Sequence, residues 1–212
     1  MNKEIKLICF DLNKTLIKEN SWLRLNLAMG VTAKEDEVIL NLSREGIFSY
    51  REGQDILGRI YKKRGDISKK NIERVLFDYN YFPGVKIVIK YLKDRGYKLA
   101  LVSGAMDLLV DKVAVELGID FYKAANRMVF DKNNNLVKIR AKQEEAVAKL
   151  SFLNIFCRQE KIKMSECACV GDSENDSQIF KASGHGVAFK GSVAEKYAWK
   201  TISNWRDLMS IF

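Results

Sequence analysis

Histidine occurs once in this chain, at His185, and cysteine only four times, at Cys9, Cys157, Cys167 and Cys169. A zinc cluster of imidazole and thiolate ligands is therefore excluded. Three of the cysteines lie in apolar runs, where the side chain behaves as a small hydrophobe, and all four are read as reduced and inert. No stretch approaches the length of about 20 apolar residues that crosses a bilayer. Residues 1–10 have neither the apolar core nor the cleavage site of a secretory leader, so a cytoplasmic protein with no membrane partner is expected. The net charge is +9, yet the basic residues are scattered over every predicted helix and form no block interleaved with aromatics. A nucleic-acid partner is accordingly not expected, and the sequence is silent on oligomeric state.

What is present is an ordinary globular composition, 47% hydrophobic and 30% charged over 212 residues, enough for one sizeable core with an insertion. The stretch Ile5 to Leu16, IKLICFDLNKTL, is a nearly continuous apolar run that stops at Asp11 and enters a polar turn. Such a run fits a strand buried on both faces of a parallel sheet. Two others have the same design: Tyr97 to Gly104 ends in Ser103 and Gly104, and Cys167 to Asp172 ends in Gly171 and Asp172. In open α/β sheets ligands sit beyond the carboxyl ends of the strands, so three parallel strands would bring these tips to one spot. Read singly, Asp11 could be a strand-end turn residue and Asp172 a helix-start carboxylate favoured by the dipole.

From Ser21 to about Tyr79 the pattern is helical throughout. Thr32 with Glu35, and Ser49 with Glu52, fit the capping box, while Gly30, Gly46 and Gly65 close helices. Four short helices are expected, with Trp22, Leu25, Val38, Leu42, Ile56, Ile60, Ile72 and Leu76 available for a small core of their own. The single proline, Pro83, with Gly84 marks the return to the main domain and opens a helix running to about Arg95. A strand at 97–102, a helix at 105–117, a hairpin at 128–139 forming a peripheral flap, and a helix at 142–161 follow. After the strand ending at Asp172 come a helix near Glu174, strands at 186–189 and 199–202, and a final helix. The fold class is α/β: a Rossmann-like parallel-sheet core formed by 1–17 and 82–212, with an inserted helical cap at 18–81.

FDLNKTL at 10–16, VSG at 102–104, the Lys142 segment and GDSENDSQIF at 171–180 resemble, in order and spacing, the four signature motifs of haloacid-dehalogenase-like (HAD) phosphatases. The helical insertion, PGV at 83–85 and GVAF at 186–189 are similar to the phosphoserine phosphatases among them. The resemblance implies that Asp11 is a nucleophile forming an aspartyl-phosphate. It implies magnesium held by Asp11, Asp172 and the main-chain carbonyl of Asn13, with Asp176 supporting the metal shell. Ser103, the Gly104 amide and Lys142 would bind phosphoryl oxygens, Thr15 would brace the loop, and Asn175 would contact substrate. Lys138 or Arg140 could supply the cation in place of Lys142. His185, between two glycines, reads as a surface loop residue.

Two positions depart from the pattern. Hydrolytic members carry an aspartate two residues after the nucleophile as proton relay, and here the residue is Asn13, whose amide cannot carry that proton. The expected function is a magnesium-dependent phosphomonoester hydrolase, attenuated by Asn13; the alternative is a non-catalytic phosphate-binding pseudo-enzyme or partner-binding module. The second departure is Asn20, where the resemblance implies an acidic receptor for a serine ammonium. Cap residues Asn20, Trp22, Arg24, Arg51 and Arg59 would then form a pocket of different character for a small phosphorylated metabolite.

Overall fold

The computed structural model describes residues 4–141 and 144–212. Its centre is the strand β1 (Leu7–Phe10), every residue of which is fully buried. Alternation explains how it buries both faces. Ile8 and Phe10 join a core on one side of the sheet, and Leu7 and Cys9 join a second core on the other.

β1 pairs in parallel with β2 (Lys98–Met106) on one flank and with β5 (Cys167–Gly171) on the other. The connections from β1 therefore run in opposite directions, which opens a crevice at its carboxyl end. Beyond β2 lies β3 (Phe121–Phe130), parallel to it, and then β4 (Leu136–Ala141), antiparallel to β3. Beyond β5 lie β6 (Gly186–Phe189) and β7 (Lys200–Ile202), both parallel, giving the order β4-β3-β2-β1-β5-β6-β7.

Four helices are inserted after β1: α1 (Ser21–Ala28), α2 (Ala33–Arg44), α3 (Tyr50–Arg64) and α4 (Lys69–Leu76). Both expected capping boxes form, at Thr32 with Glu35 and at Ser49 with Glu52. The chain leaves and rejoins the sheet along one hydrogen-bonded link, in which Lys18 N–H donates to the Asn80 carbonyl and Phe82 N–H to that of Leu16. The insertion does not keep a core of its own. Leu25, Met29, Leu57, Tyr61, Ile72 and Leu76 are continuous with Ile8 and Phe10 in one hydrophobic cluster, and Val38 faces solvent at 47% exposure.

α5 (Val85–Asp94) starts after Gly84, whose φ of +93° suits glycine and few other residues. α6 (Asp107–Leu117) follows β2 on the same side as the insertion, while α7 (Glu145–Glu160) and α8 (Ser177–Ser183) cover the opposite face. The β3–β4 hairpin is not a peripheral flap. The first half of β3 belongs to the parallel sheet, and the turn is bonded to the insertion through Lys69 N–H to Asn134 O and Leu136 N–H to Ile67 O. The final helix is a 3-10 segment, Trp205–Ser210, whose buried Trp205 packs on Phe10. No described helix is long and apolar enough to cross a membrane.

Candidate active site

The tips of β1, β2 and β5 meet as the three apolar runs predicted. Asp11 continues β1, with its N–H bonded to the Val170 carbonyl of β5. Its carboxylate Oδ1 lies 2.9 Å from Nζ of Lys149, and the same ammonium lies 2.7 Å from Oδ1 of Asp176. Lys149 is only 2% exposed, on the inward stripe of α7 with Ala148, Phe152 and Leu153. Burial works against its charge, but the Asp11, Asp176 and Glu145 carboxylates outweigh it and hold its pKa above the ordinary lysine value.

Oxygens of Asp11, Asp172 and Asp176 lie within 4.8 Å of one another, a donor set able to hold a cation. Burial, followed by the neighbouring aspartates, raises Asp11 to about 7 despite Lys149. Burial and Asp176 likewise raise Asp172 to about 6. Asp176 itself is fully committed: Oδ1 accepts from Lys149, while Oδ2 accepts from the N–H and hydroxyl of Ser173. It therefore braces the group more than it offers a free ligand. Thr15, expected to brace the loop, donates its hydroxyl to Asp172.

Ser103 is buried, with its Oγ accepting from Ala105 N–H, and lines the cavity with Gly104. Gly104 permits a close approach. A Cβ at this position would lie 2.0 Å from Cδ of Glu145. The Gly104 carbonyl is held by Asn126 Nδ2 at 2.6 Å and by Trp22 Nε1 at 2.9 Å, so the insertion touches the strand end directly. Asn13 Oδ1 accepts from Ser21 N–H at 3.1 Å, which ties the loop after β1 to α1. Asn20 Oδ1 caps α1 by accepting from Trp22 and Leu23 N–H.

These groups line a cavity of about 260 Å³ between the strand tips and the insertion. Leu23, Ile39, Leu40 and Leu57 supply apolar wall, and Asp36, Arg44 and Gln54 supply polar groups. Asn13, Asn20, Ser103, Gly104, Asp172 and Asn175 all reach it. The cap arginines named from sequence are elsewhere: Arg24 pairs with Asp78, and Arg51 and Arg59 are exposed. Lys142 falls outside the described residues. Lys138 and Arg140, the other cations considered, are exposed on β4. His185 bonds to Ser183 and stacks edge-on against Trp199.

Sequence reasoning missed Lys149, Glu145 and Tyr50. Lys149 had a signal, since a lysine on the buried stripe of an otherwise apolar helix face needs a partner. Glu145 and Tyr50 had none, because Tyr50 Oη donates to Glu145 Oε1 at 3.1 Å across 95 residues of chain.

The family model of haloacid dehalogenase-like hydrolases matches residues 5–184. Phosphoserine phosphatase of Methanocaldococcus jannaschii is 28% identical over 211 residues, covering 100% of this chain and 98% of that protein. Phosphoserine phosphatase of Streptococcus thermophilus is 29% identical over 187 residues, 88% of this chain and 85% of its own. A solved structure described as a phospho-aspartyl intermediate analogue of phosphoserine phosphatase superposes with a TM-score of 0.81 at 26% identity, covering 99% of this chain and 100% of that one. The family match spans every strand tip that builds the cavity floor, from Asp11 through Ser103 to Asp176, and the chain belongs to the haloacid dehalogenase-like hydrolases.

Proposed function

We propose that the protein is a magnesium-dependent phosphomonoester hydrolase acting through an aspartyl-phosphate on a small phosphorylated metabolite. One observation carries this reading: the Asp11 carboxylate, at the tip of the central strand, faces a buried ammonium 2.9 Å away on a cavity floor. In the first step an Asp11 oxygen attacks phosphorus and the ester P–O bond breaks; in the second, water attacks phosphorus and restores the carboxylate. Lys149 would offset charge on the phosphoryl oxygens, and Ser103 and the Gly104 amide, in the lining of the same cavity, would donate to them.

The donor set suits a hard divalent ion. Three aspartates face one ammonium on the floor, leaving an excess of negative charge, and all offer oxygen. Asp11 and Asp172, with the main-chain carbonyl of Asn13, would hold magnesium, and Asp176 would steady the group. When bound, the ion offsets repulsion between the carboxylate and the incoming phosphoryl oxygens.

Phosphoserine itself is not assigned. Asn20 brings no carboxylate and spends its oxygen on the helix cap, and the insertion's wall mixes Leu23, Ile39, Leu40 and Leu57 with Asp36, Arg44 and Gln54. Asn13 favours the non-catalytic reading, since it cannot relay a proton. Against that reading stands a nucleophile still set beside its cation at the floor.

Acetyl phosphate separates the two, because its leaving group needs little protonation. With magnesium, the protein is expected to gain one phosphate by intact mass, located on Asp11 and absent from Asp11→Asn or after chelation of the metal. Absence of both the adduct and any turnover across a broad panel of metabolites would leave only the binding module.

A further inference from the structure

Cleaving an unactivated phosphomonoester needs a group that gives a proton to the leaving oxygen and takes one from water, and Asn13 and Asn175 carry none to give. Asp11 is the nucleophile, and Asp176 and Lys149 are locked together. Asp172 is held by Thr15 within the metal set, and Asp36 is bonded to Asn26 on the insertion side. Burial and the Glu145 carboxylate push the Tyr50 phenol far above its ordinary value, so Tyr50 keeps its proton. Among the described groups on the floor, that leaves Glu145.

We infer that Glu145 is the proton carrier of this site, a catalytic residue standing in for the amide at position 13. The inference rests on the phosphomonoester reading. Its carboxylate packs on Gly104 so closely that a Cβ there would lie 2.0 Å from Cδ. Oε1 accepts from Tyr50 Oη at 3.1 Å and Oε2 from Asn175 Nδ2 at 2.5 Å, so one donor from the insertion and one from the sheet fix its orientation. Asn126, fully buried, donates to both Tyr50 Oη and the Gly104 carbonyl and holds these two supports in register.

Only the neutral carboxyl can donate. As the Asp11 oxygen bonds to phosphorus and the ester bond breaks, Glu145 passes its proton to the leaving oxygen and an alcohol departs. The resulting carboxylate then takes a proton from water as that water attacks phosphorus. The P–O bond to Asp11 breaks, phosphate leaves, and Glu145 is protonated again.

The experiment compares parent, Glu145→Gln, Asn13→Asp and the double variant on an alkyl phosphomonoester and on acetyl phosphate, with thermal melts to check folding. Glu145→Gln should lower kcat on the alkyl ester by about 10²–10⁴, change phosphorylation by acetyl phosphate by less than about tenfold, and leave the Asp11 adduct long-lived. Asn13→Asp should restore turnover in the double variant, because residue 13 lines the same cavity. Unchanged or faster turnover in Glu145→Gln, as for a carboxylate that merely plugs the pocket, overturns the inference while the phosphatase reading stands. A parent that neither hydrolyses esters nor takes up phosphate overturns both.

Discussion

Lys149 carries the electrostatics of the site at the scale of a single residue. Replacing it by methionine keeps an unbranched stem and removes the charge that separates Asp11 from Asp176. Breaking such a buried arrangement costs about 3–5 kcal/mol, so metal-free Lys149→Met should unfold at clearly lower urea than the parent. Phosphate uptake from acetyl phosphate should be lost with it, whereas Lys142→Met should keep uptake; the reverse pattern would move the cation to Lys142. Asp11 was legible as the candidate nucleophile because it ends an apolar strand and two further runs end in polar tips of the same design. Lys149 was passed over because, in a chain with 36 Lys and Arg, a lysine on a helix reads as solvated until the register of the buried stripe is known. Thr15 was read as a brace for the loop, but that its hydroxyl serves Asp172 and that Asn20 caps α1 is settled by local bonds.

Among the elements, α6 holds the chain where the insertion returns to the sheet. Glu116 on α6 accepts from Tyr79 Oη at 2.6 Å and Tyr81 Oη at 2.7 Å, and Lys112 lies 2.8 Å from its other oxygen. Burial would raise its pKa, but Lys112 and the two phenols outweigh it and bring it from 4.5 to about 2. A depressed carboxylate contributes stability that is complete above its unfolded value and fades as pH falls toward its folded one. The difference in unfolding midpoint between parent and Glu116→Gln should therefore be constant above about pH 5 and shrink between 4.5 and 2, more weakly in high salt. An unchanged difference down to pH 2 would remove Glu116 as a pH-dependent tie. Strands β1, β2 and β5 were readable from apolar runs with polar tips. The first half of β3, FYKAAN, alternates poorly, and its strand character comes from pairing with β2. Capping boxes were readable because they are complete within four residues.

On the scale of the whole molecule, the insertion and the sheet share one hydrophobic cluster, so the insertion is not a separate folding unit. Helix α3 and strand β1 should lose protection from hydrogen exchange at the same denaturant concentration, in a single transition seen also by far-UV circular dichroism. Earlier loss from α3 would mean that the cluster divides. Shared packing also restricts how the cavity can open. The connections at 16–18 and 80–82 are bonded side by side, the β3–β4 turn is bonded to residues 67 and 69, and the Trp22–Gly104 and Tyr50–Glu145 bonds join the insertion to the cavity floor.

The bond from Trp22 to the Gly104 carbonyl has one more consequence, an optical one. The indole N–H is spent on a strand end at the mouth of the cavity, and any ligand that parts the insertion from the sheet exchanges that partner for water. Emission from an indole shifts in colour with such an exchange. With Trp199 and Trp205 replaced by phenylalanine, the protein would report the filling of its own cleft, without a label and without turnover.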